Sequence, residues 1–594
     1  MEIASVGSSA NLHLLERYPE LLFLLSYTSF TPLDRPIRTE VDCIPDRSSL
    51  DEVDILYVYG VGYGEIYVAL KDWLKERAER RLIFLDDELA AIHALLESEH
   101  AEDLLRSPQV IVHFLSKSQQ LDGHLEGLVA SYPSDRIEII LGTSVYQKRK
   151  KRRFQQIRLK LLRQSAVSHA LLTEALYSHK LLGNLLRNIK RWPGSFLAGG
   201  LKGKFRGIPA IICGAGPSLE ENMPLLKQLE DSALIIAGGS TIAALSNQGV
   251  HPHLGIALDP NREEFGRLKI ASAYEMPLIY ATRLQPDVFN VINGERGYLI
   301  SGTGGPCEQY FERQMDIEGE PIGPALGPEA LSVTTIAIAI AVEMGCNPIL
   351  LNGIDLAYTG MQRYAAGVLP SSDVHKSEIK AQKKASERCL KRKDIHGHYV
   401  HTLVKWVMES ECIASFAKQH PQTRFINVSR GGIGFSGISN RPLAEVAQEE
   451  LIQLGDLRSL VHAEIQQLNM PQSKEKIVRE MQEVGESLLR LGSIAEQMIE
   501  ELEKAKDLLS LAKLTLPTGK MTILEIDFQE EKAFECLFPT LGPALDKLLA
   551  RAFCTLMHCT EEEQHRYFLE SKMAKWKQWK EMIDSEIAVF RENG

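Results

Sequence analysis

Residues 208–261 read IPAIICGAGPSLEENMPLLKQLEDSALIIAGGSTIAALSNQGVHPHLGIALDPN. The run Ala210-Ile211-Ile212-Cys213 is short and wholly apolar, as in a buried parallel strand, and it stops at Gly214-Ala215-Gly216-Pro217-Ser218. A helix follows from Leu219 to Leu229. Ser218 is placed to cap it, and Glu220 and Glu221 stand in its first turn, where the helix dipole favours acidic groups. A second apolar strand, Ala233 to Ala237, ends in Gly238-Gly239-Ser240-Thr241 before another apolar helix, and a third, Leu254 to Leu258, ends in Asp259-Pro260-Asn261. Strand, polar turn and helix thus recur, which predicts an open α/β sheet with small and polar groups at the carboxyl edge where such sheets bind ligands.

Two readings of Gly214 and Gly216 stand at this point. Missing side chains let backbone N–H groups approach a phosphate beside a helix N-terminus; equally, a tight strand-to-helix turn needs glycine for its own geometry. The longer string GAGPSL resembles the GxGPSL signature shared by the MptE-like domain of bacterial motility accessory factors and by bacterial CMP-sialic-acid-dependent sialyltransferases.

The chain has 594 residues, enough for about three or four domains. Its 44% hydrophobic and 24% charged content is that of a globular protein, and a net charge of −11 argues against general nucleic-acid binding. Nine cysteines are dispersed with no CxxC pair or zinc spacing, so reduced thiols are expected. No apolar run of about 18 residues and no signal-peptide pattern is found, so the expected location is cytoplasmic, with no integral membrane segment.

Upstream, Asn11 to Ser26 is expected to be a short amphipathic helix. Asp54 to Tyr59 reads as a strand followed by Gly60-Val61-Gly62-Tyr63-Gly64, a helix from Ile66 to Arg77, and a strand ending in Asp86-Asp87. A glycine turn with an acidic residue some way on is how dinucleotide and S-adenosylmethionine sites hold a ribose, and it is also a turn kept for structure alone. The region resembles the N-terminal domain of motility accessory factors. Val110 to Phe114 and Arg136 to Leu141 are further strands. Lys148-Arg149-Lys150-Lys151-Arg152-Arg153 then offers six consecutive cations, readable as a phosphate or anionic-membrane contact or, more simply, as the solvated start of a long helix over Gln155 to Ile189.

A second dense stretch, Ser332 to Gly360, starts a hydroxyl-rich apolar helix, ends it at Gly345, and delivers a strand from Pro348 to Leu351 into Asn352-Gly353-Ile354-Asp355. The ILLNGIDLAY string is similar to that of motility accessory factors, and the sialyltransferases share a GIDFY-like version. The resemblance implies phosphate-binding tyrosines after the GID motif, matched here by Tyr358 and Tyr364 with a one-residue insertion. Gln362-Arg363 stands where motility accessory factors often have a Thr-His pair, and Arg363 is either a phosphate or carboxylate ligand or a solvated side chain. Asp355 either orients loop backbone or accepts from a ligand. Ser301 to Pro306 is a polar loop that either closes over a ligand or turns the chain, and Ser371 to Lys393 reads as a mobile lid or exposed helix. His396, His398 and His401 follow; HYVHT resembles the histidine-bearing segment of the sialyltransferases and implies a general base at His398 or His401, although motility accessory factors commonly lack these histidines. A metal trio is disfavoured because neighbouring residues of an extended chain alternate faces. Arg424 to Val428 and the glycine turn after it resemble the family's closing INxTxGGxxIxG pattern.

The expected fold is α/β: an N-terminal Rossmann-like domain (1–145), a helical connector (146–200), a central MptE-like, sialyltransferase-like nucleotide-binding domain (201–445) and a C-terminal helical domain (446–594). The motif resemblance covers about 208–440, with fainter cover over 1–145. It implies a glycosyltransferase moving a nonulosonic acid of sialic, pseudaminic or legionaminic type from a CMP-sugar to protein Ser/Thr hydroxyls, the donor being a substrate and no cofactor or metal being tightly bound. Gly214, Ala215, Gly216, Pro217 and Ser218 would shape the phosphate site, with Gly239, Ser240, Thr241, Asp259, Asn261, Ser332 and Gly353 framing the nucleoside; Asp355, Tyr358, Tyr364, His398 and His401 would carry the chemistry. The implied acceptor is a flagellin-like protein, and the C-terminal helices suit acceptor docking or assembly of a homo-oligomer. Two alternatives remain: an MptE-like pyrophosphokinase moving pyrophosphate from ATP to a hydroxymethylpterin, with Mg²⁺ on Asp259 and Asp355, and a non-catalytic nucleotide-binding scaffold.

Overall fold

The computed structural model describes residues 17–28, 43–115, 121–177, 179–269, 274–321, 332–366, 368, 371–509, 518–540, 542–543, 545 and 561–593. The expected N-terminal helix is seen as Pro19–Ser26, with residues 11–16 outside the described set. Two compact units form. The first lies within Met1–Leu172 and takes in Ala381–Arg388; the second comprises Thr173–Lys380, Cys389–Leu549 and Glu561–Gly594. Among the described residues no helix is long and apolar enough to cross a membrane.

The first unit is built on β1 (Ile55–Tyr59), β2 (Arg81–Asp86), β3 (Val110–Phe114) and β4 (Ile137–Leu141), all parallel in the order β3-β2-β1-β4. Every residue of β1 is buried, as expected of a central parallel strand covered on both faces. The Glu65–Glu76 helix packs through Ile66, Leu70, Trp73 and Leu74, one apolar stripe at helical spacing, and Trp73 Nε1 donates to the Leu50 carbonyl at 3.1 Å. Ala381–Arg388 belongs to the stretch expected to be a mobile lid or an exposed helix. Instead the Ala385 N–H donates to the Asp135 carbonyl at 2.7 Å, and Arg388 donates to Glu138 at 2.9 Å and to the Ile137 carbonyl at 2.6 Å, which fixes the segment to the first unit.

The glycine turn after β1 is filled from within. Gly60 has φ +98°, and a Cβ there would lie 2.7 Å from the Tyr146 ring. The Tyr146 hydroxyl donates to Asp86 Oδ1 at 2.7 Å, and the Val61 N–H donates to Asp86 Oδ2 at 3.0 Å. Burial pushes the Asp86 carboxyl up to about 6 against the pull of these donors. The groups expected to frame a ribose therefore bind each other, and the turn is accounted for by packing.

The second unit holds a nine-stranded sheet. In chain order its strands are β5 (Phe196–Leu197), β6 (Ala210–Cys213), β7 (Leu234–Gly238), β8 (Leu254–Ala257), β9 (Leu278–Tyr280), β10 (Arg296–Tyr298), β11 (Ile349–Asn352), β14 (Phe425–Asn427) and β15 (Ser439–Asn440). Their order is β15-β14-β11-β6-β7-β8-β9-β10-β5, and each pairing is parallel. One face packs against the Val333–Glu343 and Val404–Gln419 helices. The other packs against His179–Ile189, Leu219–Gln228 and Ser240–Asn247 in a core that also includes Leu488, Trp576 and Trp579 of the long helices Lys474–Leu509 and Glu561–Asn593. The C-terminal helices thus share the core of the sheet rather than closing on themselves as the separate domain drawn from the sequence. A hairpin of β12 (Cys389–Lys393) and β13 (Tyr399–Leu403) occupies part of the expected lid, which also contains the short helix Lys376–Ala381.

Tyr146 offers a direct test of the filled turn. Tyr146→Ala should destabilise the first unit by about 3–5 kcal/mol through loss of a buried ring, and Tyr146→Phe, which loses only a hydrogen bond to a carboxylate, by about 1.5–3 kcal/mol; chemical denaturation read by hydrogen exchange on the β1 and β2 peptides measures both.

Candidate functional site

The strand order reverses between β6 and β11. From β6 the chain builds outward through β7, β8, β9 and β10, then returns to lay β11 and β14 on the opposite side of β6. Crevices at such reversals, outside the carboxyl ends of the strands, are where open α/β sheets take ligands. The two loops that meet here are Gly214–Ser218 after β6 and Gly353–Asp355 after β11.

These loops are fastened together. The Gly214 N–H donates to the Asn352 carbonyl and the Gly216 N–H to the Gly353 carbonyl, each at 2.8 Å. The Ser218 N–H donates to Asp355 Oδ2 at 3.2 Å, and the Ser218 hydroxyl donates to Asp355 Oδ1. Ser218 makes no side-chain cap to the Leu219–Gln228 helix, contrary to the expectation, because its hydroxyl is turned to Asp355. A Cβ on Gly216 would stand 2.6 Å from the Gly353 oxygen and 2.7 Å from Asp355 Oδ1, so this glycine is required by protein packing. Asp355 is 1% exposed, and burial raises its carboxyl above the usual range while the Ser218 donors pull it down. The loop after β14 closes around the same residue: the Ile433 N–H donates to the Asp355 carbonyl at 3.0 Å, and Gly432, at φ +91°, leaves no room for a Cβ beside the Asp355 backbone. Asp355 is therefore the orienter of three loops.

The tyrosine-bearing loop lies on this assembly. The Ala365 N–H donates to the Ala215 carbonyl at 2.9 Å, and the Ala366 N–H donates to Glu220. Tyr364 is half-buried with the Arg363 guanidinium 5.5 Å from its ring centre. Tyr358 is 8% exposed and packs edge-on against Trp406 at 4.8 Å. The hairpin joins through backbone bonds: the Tyr358 N–H donates to the His401 carbonyl at 2.9 Å, and the Thr402 hydroxyl donates to the Leu356 carbonyl at 2.6 Å. His401 places Nδ1 3.3 Å from Cys389 Sγ. His398 sits at the hairpin turn with 83% of its side chain exposed, Nδ1 3.9 Å from Asp394, while His396 Nε2 lies 3.0 Å from the Arg430 carbonyl. The structure thus brings His401 beside the tyrosine loop and leaves His398 at the tip.

Farther along the edge, Ser332 forms a reciprocal cap with Thr335 and donates from its hydroxyl to Glu409 at 2.5 Å. The Val333–Glu343 helix comes so close to Gly238 that a Cβ there would overlap the Val333 side chain. Thr241 is buried at the helix start, and Ser240 accepts from Arg267 at 2.9 Å. Asp259 Oδ1 accepts from the Asn261 N–H at 2.9 Å and from its side-chain amide at 2.8 Å. The Ser301–Pro306 loop is anchored by buried Glu308, which accepts from the Gly304 N–H at 3.0 Å and from the Thr282 hydroxyl.

Sequence reasoning passed over Glu264. It is 2% exposed, packs against Gly239 (φ +48°), and its Oε1 has no hydrogen-bond partner among the described residues. Burial and then the Asp259 charge push its carboxyl up to about 7. The signal that could have found it is weak: an acidic residue in the first turn of Arg262–Leu268 reads as an ordinary helix-dipole partner.

Residues 183–361 match the model of the family described as 6-hydroxymethylpterin diphosphokinase MptE-like. The MptE-like resemblance read from GAGPSL and ILLNGIDLAY is thereby borne out over the strands that form the crevice. A solved structure of MAf glycosyltransferase from Magnetospirillum magneticum AMB-1 is similar over 91% of this chain and 79% of that one, at 13% identity and a TM-score of 0.47. No curated protein matches the chain.

Two outcomes follow from this geometry. Gly216→Ala should destabilise the second unit by about 1–3 kcal/mol because the methyl meets backbone rather than open space, measurable by chemical denaturation. Glu264 is protonated in the fold at a pH where it is ionised in the unfolded chain. Its contribution therefore falls as pH rises from about 4.5 to about 7, a loss of about 3 kcal/mol in all. Denaturation at pH 5 and pH 8 should show a shallower pH dependence for Glu264→Gln than for the parent.

Proposed function

We propose that the chain is a glycosyltransferase that moves a nonulosonic acid from its CMP-activated form to a protein hydroxyl. The observation that carries this reading is the seating of the Tyr358–Tyr364 loop on the glycine turn at the strand-order reversal, through the Ala365 to Ala215 hydrogen bond. Phosphate leaving groups need donors, and the two phenols with the Ala215 N–H, which the loop-to-loop bonds leave unused, form the proposed set. Gly239, Ser240, Thr241, Asp259 and Asn261 frame the nucleoside along the β7 and β8 ends, with Ser332 and Gly353 shaping the remaining walls.

In this reading His401 takes the proton of the acceptor hydroxyl as its oxygen attacks the anomeric carbon. The bond from that carbon to the phosphate oxygen breaks, and CMP leaves with its charge met by the tyrosine hydroxyls. Asp355 is a positioning residue that holds the turn and the tyrosine loop in register.

Pyrophosphoryl transfer is the second reading, favoured by the description of the matching family. Its Mg²⁺ ligands would be Asp259 and Asp355. Both Asp355 oxygens accept from Ser218, so turning that carboxylate to a cation breaks contacts that hold two loops together, whereas Asp259 uses one oxygen, Oδ1, for both of its bonds from Asn261. Asp355 is therefore not presented as a ready metal ligand.

Turnover of a CMP-nonulosonate donor, measured with CMP affinity in parallel, separates the roles. His401→Ala should lower turnover by about 10²–10⁴ with affinity nearly constant, since a base acts on the acceptor in the transition state. His398→Ala should leave both unchanged. Equal loss of affinity and rate in His401→Ala would make that residue structural, and pyrophosphate transfer from ATP by a protein inert toward CMP-sugars would replace the proposal with the second reading.

A further inference from the structure

Four residues of the basic run at 148–153, which the central site does not use, line an open pocket of about 400 Å³ in the first unit. Its lining consists of Arg149, Lys150, Arg152 and Arg153 together with Asp87, Glu88 and Gln156. Asp87 and Glu88 follow β2, so the cavity opens at the carboxyl edge of the parallel sheet. The cations are not equivalent. Lys150 is neutralised: its ammonium lies 2.5 Å from Asp87 Oδ1 and 2.6 Å from Glu88 Oε1, over the Tyr146 ring at 4.2 Å. Arg153 stands off at 3.8 Å from Asp87 Oδ2, an oxygen that accepts from the Tyr59 hydroxyl at 3.0 Å. Arg149 and Arg152 form no ion pair among the described residues.

Four cations against two carboxylates leave an excess of two positive charges, carried by guanidinium groups. A phosphate monoester is largely dianionic near neutral pH and presents oxygens that match the guanidinium fork. A solvated helix start also collects arginines. What distinguishes this one is that the arginines line a pocket, together with a lysine already held by two carboxylates beside two guanidiniums that form no ion pair among the described residues. The cavity volume falls in the range of small-molecule sites. Tyr146 fills the Gly60 turn, so a ligand is confined to the rim and cannot extend along the turn as a dinucleotide does. Glu88, with its side chain 47% exposed, and the Gln156 amide supply acceptors and a donor for hydroxyl groups.

We infer that this cavity binds a phosphate monoester of a small hydroxylated molecule, with the phosphate on Arg149, Arg152 and Arg153 and a hydroxyl on Glu88 or Gln156. The inference stands apart from the reading of the second unit.

Hydrogen exchange on the full chain, with inorganic phosphate, glucose 6-phosphate, glucose and anionic phosphatidylserine vesicles as probes, tests it. Glucose 6-phosphate should protect the peptides spanning 86–90 and 146–158 more than inorganic phosphate does, glucose should protect neither, and protection should weaken as salt rises. The double variant R149Q/R152Q alters two exposed, unpaired side chains and should lose at least about tenfold in glucose 6-phosphate affinity by calorimetry, with its own unfolding midpoint unchanged. Absence of protection by either phosphate, equal affinity in the double variant, or protection by vesicles alone would overturn the proposal, the last assigning the run to a membrane surface.

Discussion

The contact between Ser218 and Asp355 is what the carboxyl edge of the second unit's sheet depends on. One carboxylate, taken out of water, accepts both the N–H and the hydroxyl of a residue 137 positions earlier in the chain. A buried carboxylate without such donors is costly, whereas one that is satisfied ties its partners together. Because β6 and β11 run side by side where the strand order reverses, this bond closes the two loops that flank the crevice, and Gly214, Gly216, Gly353 and Gly432 are small because those loops lie against one another and against Asp355. The tyrosine loop and the β12–β13 hairpin are then stacked on by backbone bonds. Conformational order at the edge propagates outward from a single buried acid.

The first unit uses the same device to a different end. Asp86, at the end of β2, accepts the N–H of Val61 from the turn after β1, as Asp355 accepts from the turn after β6. There the space above the glycine is occupied by the Tyr146 ring, whose hydroxyl completes the carboxylate's shell. Equivalent strand-turn-helix units thus differ in what covers the turn, and a glycine pattern read in isolation does not reveal which case applies.

Much of the fold was legible. Short, largely apolar runs located β1, β3, β6, β7, β8 and β11 to within a residue or two, because a strand covered on both faces has little alternation to blur its ends. The hairpin was not, since Cys389–Lys393 reads CLKRK and an exposed two-stranded ribbon carries no apolar signature. Nor was the sharing of one core by the C-terminal helices and the sheet, which depends on which face of each amphipathic helix meets which partner. At the site, Asp355 and Ser218 were visible as residues but not as a pair, because their bond spans a chain crossing. Glu264 was hidden by a position in which acids are common. His398 and His401 looked alike in HYVHT, and only strand register separates an exposed turn from a strand held against Tyr358.

A crystal structure of the full chain with CMP is the most direct measurement of whether the edge built on Asp355 is a nucleotide site. CMP is expected in the crevice between the ends of β6 and β11, its phosphate within hydrogen-bond reach of the Ala215 N–H and the Tyr364 hydroxyl, with the Ser218–Asp355 bond intact. CMP bound elsewhere, or bound there only with that bond broken and Asp355 turned to a cation, would contradict it.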